Sequence, residues 1–143
     1  MFMGEFEHSI DAKGRLIVPA KFREQLGVEF VVTKGLDGCL YGYPLSEWSK
    51  VEEKFRENGS MDKDSRKFAR FFFGGAATCE VDKQGRILIP GTLREFAGLK
   101  KDVVFAGNLN RIEIWDKEEW AKVSSFDDME EVAEHLSQLG LSI

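Results

Sequence analysis

Two cysteines, two histidines and three prolines are all of these types that 143 residues contain, and each scarcity closes off a class of protein. Cys39 and Cys79 lack a Cys-x-x-Cys pattern and have only His8 and His135 to join them. Neither a metal site nor a disulfide framework is expected, and both thiols read as buried apolar groups. The longest apolar runs, such as Phe30-Val31-Val32 and Phe71-Phe72-Phe73, fall far short of the ~20 residues a bilayer-spanning helix needs, so no membrane role is expected. Met1-Phe2-Met3-Gly4-Glu5 lacks the basic and apolar regions of a secretion signal, which predicts a cytoplasmic address. A phosphate loop, a nucleophile elbow and a His-centred triad are missing as well, so the chain is expected to be no enzyme and to need no cofactor.

Positive charge is also short. Twenty Lys and Arg against 25 Asp and Glu leave a net −5, which at first argues against a polyanionic partner. The distribution changes that reading. Residues 11–23 carry Lys13, Arg15, Lys21 and Arg23 against Asp11, a net +3, and residues 82–94 carry Lys83, Arg86 and Arg94 against Asp82, a net +2. Residues 113–135 hold nine acidic side chains against Lys117 and Lys122, a net −7. Apolar material is plentiful, with 43% hydrophobic residues and 12 Phe, enough for one buried core at single-domain length.

The two basic stretches are nearly the same sentence, "DAKGRLIVP" at 11–19 and "DKQGRILIP" at 82–90. At an offset of 71, Asp11/Asp82, Gly14/Gly85, Arg15/Arg86, Pro19/Pro90, Arg23/Arg94 and Gly27/Gly98 coincide. One inserted residue then resumes the register at 72 through Val31/Val103, Val32/Val104, Leu40/Ile112, Trp48/Trp120 and Val51/Val123. The chain is thus one unit written twice, 1–76 and 77–143, the two copies together forming one compact domain.

Within a unit, Asp-x-x-Gly predicts a type I turn with Asp first and Gly fourth. A short strand follows (16–18, 87–89), then Pro19 or Pro90 opens a helix, about 19–26 in the first copy, that Gly27 or Gly98 caps. Two strands come next in each copy, 28–33 with 39–43 and 102–106 with 111–115. Helices are expected at 47–57, ending at Asn58-Gly59, at 63–73, 117–123 and 128–139, with Ser46 and Asp116 as N-caps and Asp116-x-x-Glu119 as a capping box. One unit is too small to bury its strand faces, whereas two can exchange hairpins and close a β-structure about an internal pseudo-two-fold axis. Trp48, Trp120, Phe68, Phe71 and Phe72 read as core, and the acidic tail as a solvated helical face.

Arg15 and Arg86 follow directly on a tight turn, where a guanidinium can reach a phosphate or a guanine edge, and the pseudo-two-fold places both on one face. Lys13 and Lys83 lie inside the turns as flexible charges, and Arg23 and Arg94 follow on the short helix. The competing reading pairs Asp11 with Arg15 and Asp82 with Arg86 as structural corners, and both readings hold together if the carboxylate aims the arginine. For Arg23 and Arg94 the reading as a partner of Glu24 or Glu95, or as part of a solvated helix face, is favoured over DNA contact. A shared-proton pair of Asp11 and Asp82, as in aspartic proteases, is disfavoured because neighbouring Lys and Arg keep both ionised.

The doubled Asp-x-x-Gly-Arg with its apolar run and Pro, the opening "MFMGEFEHSID" and the interval between copies closely resemble the MraZ family of bacterial proteins. The resemblance covers essentially the whole chain and implies an α+β fold, a swapped-hairpin AbrB-like β-barrel built from two repeats with flanking helices. It implies a DNA-binding, nucleoid-associated transcriptional regulator at the promoter of the division and cell-wall gene cluster, which includes its own gene. It further implies a ring-shaped homo-oligomer of eight or twelve subunits on short direct repeats of double-stranded DNA. The motif carries over as Asp11 and Arg15, and as Asp82 and Arg86, with Gly14 and Gly85 in support. Lys13, Lys83, Arg23 and Arg94 extend it by charge and geometry alone. Two rivals stand beside this reading, an AbrB-like antitoxin or protein-interaction module centred on the acidic tail, and a hydrolase using Asp11 and Asp82.

Overall fold

A computed structural model describes residues 1–58 and 62–143, so the expected helix stop at Gly59 lies outside the described residues. The first half runs β1 (Glu5–Ser9), β2 (Arg15–Ile17), α1 (Ala20–Leu26), β3 (Glu29–Lys34), β4 (Leu40–Pro44), α2 (Leu45–Asn58) and α3 (Lys63–Phe72). The second runs β5 (Ala77–Glu80), β6 (Arg86–Leu88), α4 (Gly91–Ala97), β7 (Asp102–Asn108), β8 (Arg111–Asp116), α5 (Lys117–Val123) and α6 (Met129–Gln138). The order strand, turn, strand, helix, strand pair, helices is written twice, as the repeat predicts.

Strand pairing shows how the halves complete each other. Six strands form an antiparallel sheet in the order β1-β7-β8-β4-β3-β5, and β2 pairs with β6 in a separate ribbon. β1 of the first half therefore lies on β7 of the second, and β5 of the second lies on β3 of the first. Each edge of the sheet turns through its Asp-x-x-Gly corner into one strand of the ribbon, held by Asp11 N–H to Arg15 C=O and Asp82 N–H to Arg86 C=O. The strands thus run in a closed cycle, the AbrB-like swapped-hairpin arrangement, and closure removes edges that would template aggregation. In the ribbon Leu16 faces Ile87, and in the sheet Tyr41 faces Glu113. Both are pairs of equivalent residues, so the pseudo-two-fold axis passes through them.

The register corrects one part of the repeat alignment. Ile10 and Val81 are equivalent, and their amides donate to Lys101 and Val28 carbonyls respectively. Val28 therefore corresponds to Lys101, an offset of 73, and Val31 and Val32 match Val104 and Phe105 rather than Val103 and Val104. Two residues are inserted after Gly98, and the β7–β8 hairpin is one residue shorter than β3–β4. Three further expectations shift. α2 begins at Leu45 directly from β4, which leaves Ser46 inside the first turn instead of capping it. Asp116 does cap α5 through the Glu119 amide, but the Glu119 carboxylate turns to Lys122 at 3.0 Å, so the box is half made. Gly98 takes the left-handed cap conformation, whereas Gly27 combines a positive φ with an extended ψ.

β3, β4, β7 and β8 are buried on both faces, which is why their apolar runs are continuous rather than alternating. Their inner faces join Leu16, Val18, Ile87 and Ile89 of the ribbon and Phe22, Leu26 and Leu93 of the short helices in one core drawn from both halves. Their outer faces carry Tyr41, Tyr43, Val104 and Trp115 under Trp48, Phe71, Phe72, Phe73 and Trp120. The aromatic stripe is core as expected, with Trp48 stacked on Phe72 at 5.4 Å, except that Phe68 stays partly exposed at its rim. Cys39 and Cys79 are buried in these layers, and burial pushes their thiols up to about 12 and about 11. α6 has no buried residue, as expected of a solvated acidic helix. No helix among the described residues is long and apolar enough to cross a membrane.

Candidate nucleic-acid interface

The two Asp-x-x-Gly corners share the same turn and carboxylate bonds. Gly14 N–H donates to Asp11 C=O at 2.9 Å and Gly85 N–H to Asp82 C=O at 3.0 Å, closing each turn. One oxygen of Asp11 accepts the amides of Lys13 and Arg15, both at 2.9 Å, and the other accepts Arg15 Nε at 2.6 Å. Asp82 accepts the amides of Gln84 and Arg86, both at 2.9 Å, and Arg86 Nε at 2.8 Å. Each carboxylate therefore fixes its turn and grips its arginine by the inner nitrogen. The outer edge of the guanidinium is the part that makes bidentate contacts, and at Arg86 its Nη2 donates to Gln84 Oε1 at 3.5 Å. The carboxylate that closes the turn is thus the same group that orients the guanidinium.

The Arg15 and Arg86 amides, with the guanidinium contacts next, hold the carboxyls of Asp11 and Asp82 below their ordinary value of 3.8. A depressed folded pKa means that the turn stabilisation is complete above 3.8 and is lost as pH falls through the lower, folded value. Amide resonances of Lys13, Arg15, Gln84 and Arg86 are expected to stay unchanged down to that value and to move together below it. In Asp82→Asn only the Gln84 and Arg86 response should disappear. Titration of these amides at or above pH 3.8 would contradict the assignment. Two carboxylates, each ionised by its own arginine, also cannot share a proton, which counts against the hydrolase alternative.

Positive φ values of 88° at Gly14 and 78° at Gly85 explain glycine at these corners. The swap then adds a second reason. A Cβ on Gly85 would lie 2.5 Å from Arg23 Cζ, and one on Gly14 would lie 2.8 Å from Arg94 Nε. Arg23 and Arg94 thus lie across the corner of the opposite half. Arg23 Nε also donates to Val18 C=O at 2.9 Å, while the buried Nε of Arg94 has no partner among the described residues. No ion pair joins Arg23 to Glu24 or Arg94 to Glu95 among the described residues, so that expected pairing is replaced by bracing of the turns.

Pairing across the ribbon sets Arg15 opposite Leu88 and Ile17 opposite Arg86. Leu16 and Ile87, between them, point into the core at 0% and 1% exposure, so by the two-residue period Arg15, Ile17, Arg86 and Leu88 share the outward face. The two arginines are thereby brought onto one surface, at diagonal corners of a four-residue patch. Lys13 and Lys83 are exposed on the turns at opposite ends of the ribbon, one residue apart in turn position. Ile17 and Leu88 are the residues that reading by charge passes over. The alternation Arg-Leu-Ile-Val and Arg-Ile-Leu-Ile was the signal available, since the third residue of each shares the arginine's face.

Comparison with known proteins agrees with this architecture. The family model described as MraZ protein, putative antitoxin-like, matches residues 1–71 and again 72–139. The transcriptional regulator MraZ of Lachnoclostridium phytofermentans is 59% identical over 142 residues, spanning 99% of each chain. Those of Acetivibrio thermocellus and of a Thermoanaerobacter species are 57% and 56% identical over 143 residues, 99% of this chain and 100% of theirs.

Proposed function

Because the chain belongs to the MraZ family, we propose that it is a transcriptional regulator that grips double-stranded promoter DNA with the outward face of the β2–β6 ribbon. The observation that carries this is the pair of arginines on one ribbon face, each oriented by a carboxylate at Nε, with Arg86 Nη2 also donating to Gln84 Oε1 at 3.5 Å. A two-stranded ribbon fits the major groove, where a guanidinium reads guanine O6 and N7. Lys13 and Lys83, at the two ends, sit where phosphates flank the groove. Arg23 and Arg94 support the corners from behind and add positive potential. The target is the promoter of the division and cell-wall gene cluster, including the protein's own gene, and the site of action is the nucleoid in the cytoplasm.

One such patch is small, and the acidic α5–α6 region works against a polyanion. A ring of eight or twelve copies sets several patches on successive short direct repeats, so that linked sites supply the affinity one lacks. Units 1–76 and 77–143 act in each copy as a fused pair and not as separate domains. The test is a salt titration on promoter fragments with one, two or four repeats, alongside native mass measurement. Log K is expected to fall against log salt by about 0.9 for each phosphate neutralised, and to rise steeply with repeat number at fixed spacing. Lys13→Ala should weaken all sequences alike and reduce the slope by about one per site engaged. A salt-insensitive affinity, or one indifferent to repeat number, overturns the mechanism.

The exposed acidic α6 favours one second reading, a protein-interaction module of the antitoxin kind. Capture of a specific protein that depends on residues 125–143, with no promoter binding, would select it.

A further inference from the structure

Ile17 and Leu88 are 38% and 59% exposed, on a surface otherwise built of arginine and turn residues. Each directly faces an arginine across the ribbon, Ile17 against Arg86 and Leu88 against Arg15. Resting on the DNA reading above, we propose that Ile17 and Leu88 read thymine by its 5-methyl group, beside guanines taken by Arg86 and Arg15.

The chemistry of the groove allows few other roles for them in a DNA-bound ribbon. An aliphatic side chain carries no donor or acceptor for a phosphate. In the minor groove it serves as a wedge between base steps rather than as a reader of a base edge, a role for single protruding side chains and not for a ribbon face shared with two arginines. In the major groove the thymine methyl is the one apolar feature that distinguishes a base pair. The spacing also fits. Residues two apart on a strand are about 6.6 Å apart, close to two base-pair steps of ~3.4 Å, so Arg15 and Ile17 address bases two positions apart on the groove floor. Their cross-strand partners lie about 5 Å away. The pseudo-two-fold through Leu16 and Ile87 then repeats the pair, one guanine reader and one methyl reader, in the opposite direction. The pairing also keeps like charges apart, because each arginine faces an aliphatic and not the other arginine.

The test uses a promoter fragment from upstream of the protein's own gene, prepared once with thymidine and once with deoxyuridine, which pairs identically and lacks only the methyl. The unmodified protein is expected to bind the deoxyuridine fragment more weakly by about tenfold for each of the two methyls read, the scale of a buried methyl. The double variant Ile17→Ala, Leu88→Ala should bind both fragments equally, at the level the unmodified protein shows on deoxyuridine. Equal binding of both fragments by the unmodified protein, with Arg15→Ala losing both, overturns the methyl reading and leaves the DNA reading intact. If Arg15→Ala binds like the unmodified protein, the DNA reading itself fails. A double variant that keeps the thymidine preference, or that loses its native oligomeric mass, assigns the aliphatics to another contact and overturns the proposal. The first comparison needs no variant, so it stands whether or not the double variant folds.

Discussion

Arg15→Ala is expected to weaken promoter binding by roughly 1–3 kcal/mol per site, about five- to 150-fold, and Arg86→Ala by a similar amount. Stability should hardly move. The Arg15–Asp11 pair joins side chains that are 38% and 39% exposed, where solvent screens the attraction and leaves it little weight in stability. Removing the guanidinium also leaves the two backbone amides on Asp11, so the turn keeps its closure. Because every subunit of a ring would lose the same contact, the deficit should grow with the number of repeats on the probe. Fluorescence anisotropy on the promoter fragment, with a thermal melt of the same sample, separates the outcomes. A large drop in melting temperature, or unchanged affinity, would make Arg15 a structural corner alone.

Phe22→Ala should produce a large loss of stability. Phe22 is 1% exposed, and the rings of Phe2 and Phe6 meet it edge-on at 5.5 and 5.1 Å. It ties α1 to the first hairpin strand and to the N-terminal segment bridged to Leu109 in the second half. Truncation of a ring in such a site costs about 3–5 kcal/mol, against a total near 5–15 kcal/mol for a domain. Urea unfolding measures it directly, and Phe22→Leu should recover part of the loss. Promoter binding is expected to fall with the fold, since the next residue, Arg23, braces the Gly85 corner. A loss under about 1 kcal/mol would mean that the site collapses around the missing ring.

Much of this architecture can be read in the sequence because the repeat is anchored by residues with stereochemical duties. Asp11, Gly14, Arg15 and Pro19 each meet a distinct local requirement, so their recurrence fixes the corner, the strand and the helix start. The valine strands carry no such marks. β3 and β7 are buried on both faces, and a run of apolar residues without alternation can slide by one position and still look right. An insertion of two after Gly98 and a loss of one in the following hairpin therefore read as a single insertion. The placement of Arg23 was hidden for another reason. It lies on a glycine 62 positions away through the exchange of hairpins, and nothing near residue 23 records that neighbour. Ile17 and Leu88 were legible in principle from strand period, but charge drew the reading to the arginines beside them.

The exchange of hairpins also bears on numbers of molecules. Two separate half-length chains would have to find each other before either possessed a ribbon, and in a small cell with few copies most would wait unfinished. Joined end to end they meet at an effective concentration on the order of millimolar, so each polypeptide leaves the ribosome able to complete its own grip. The shape of each chain thus stays independent of how many chains a cell holds.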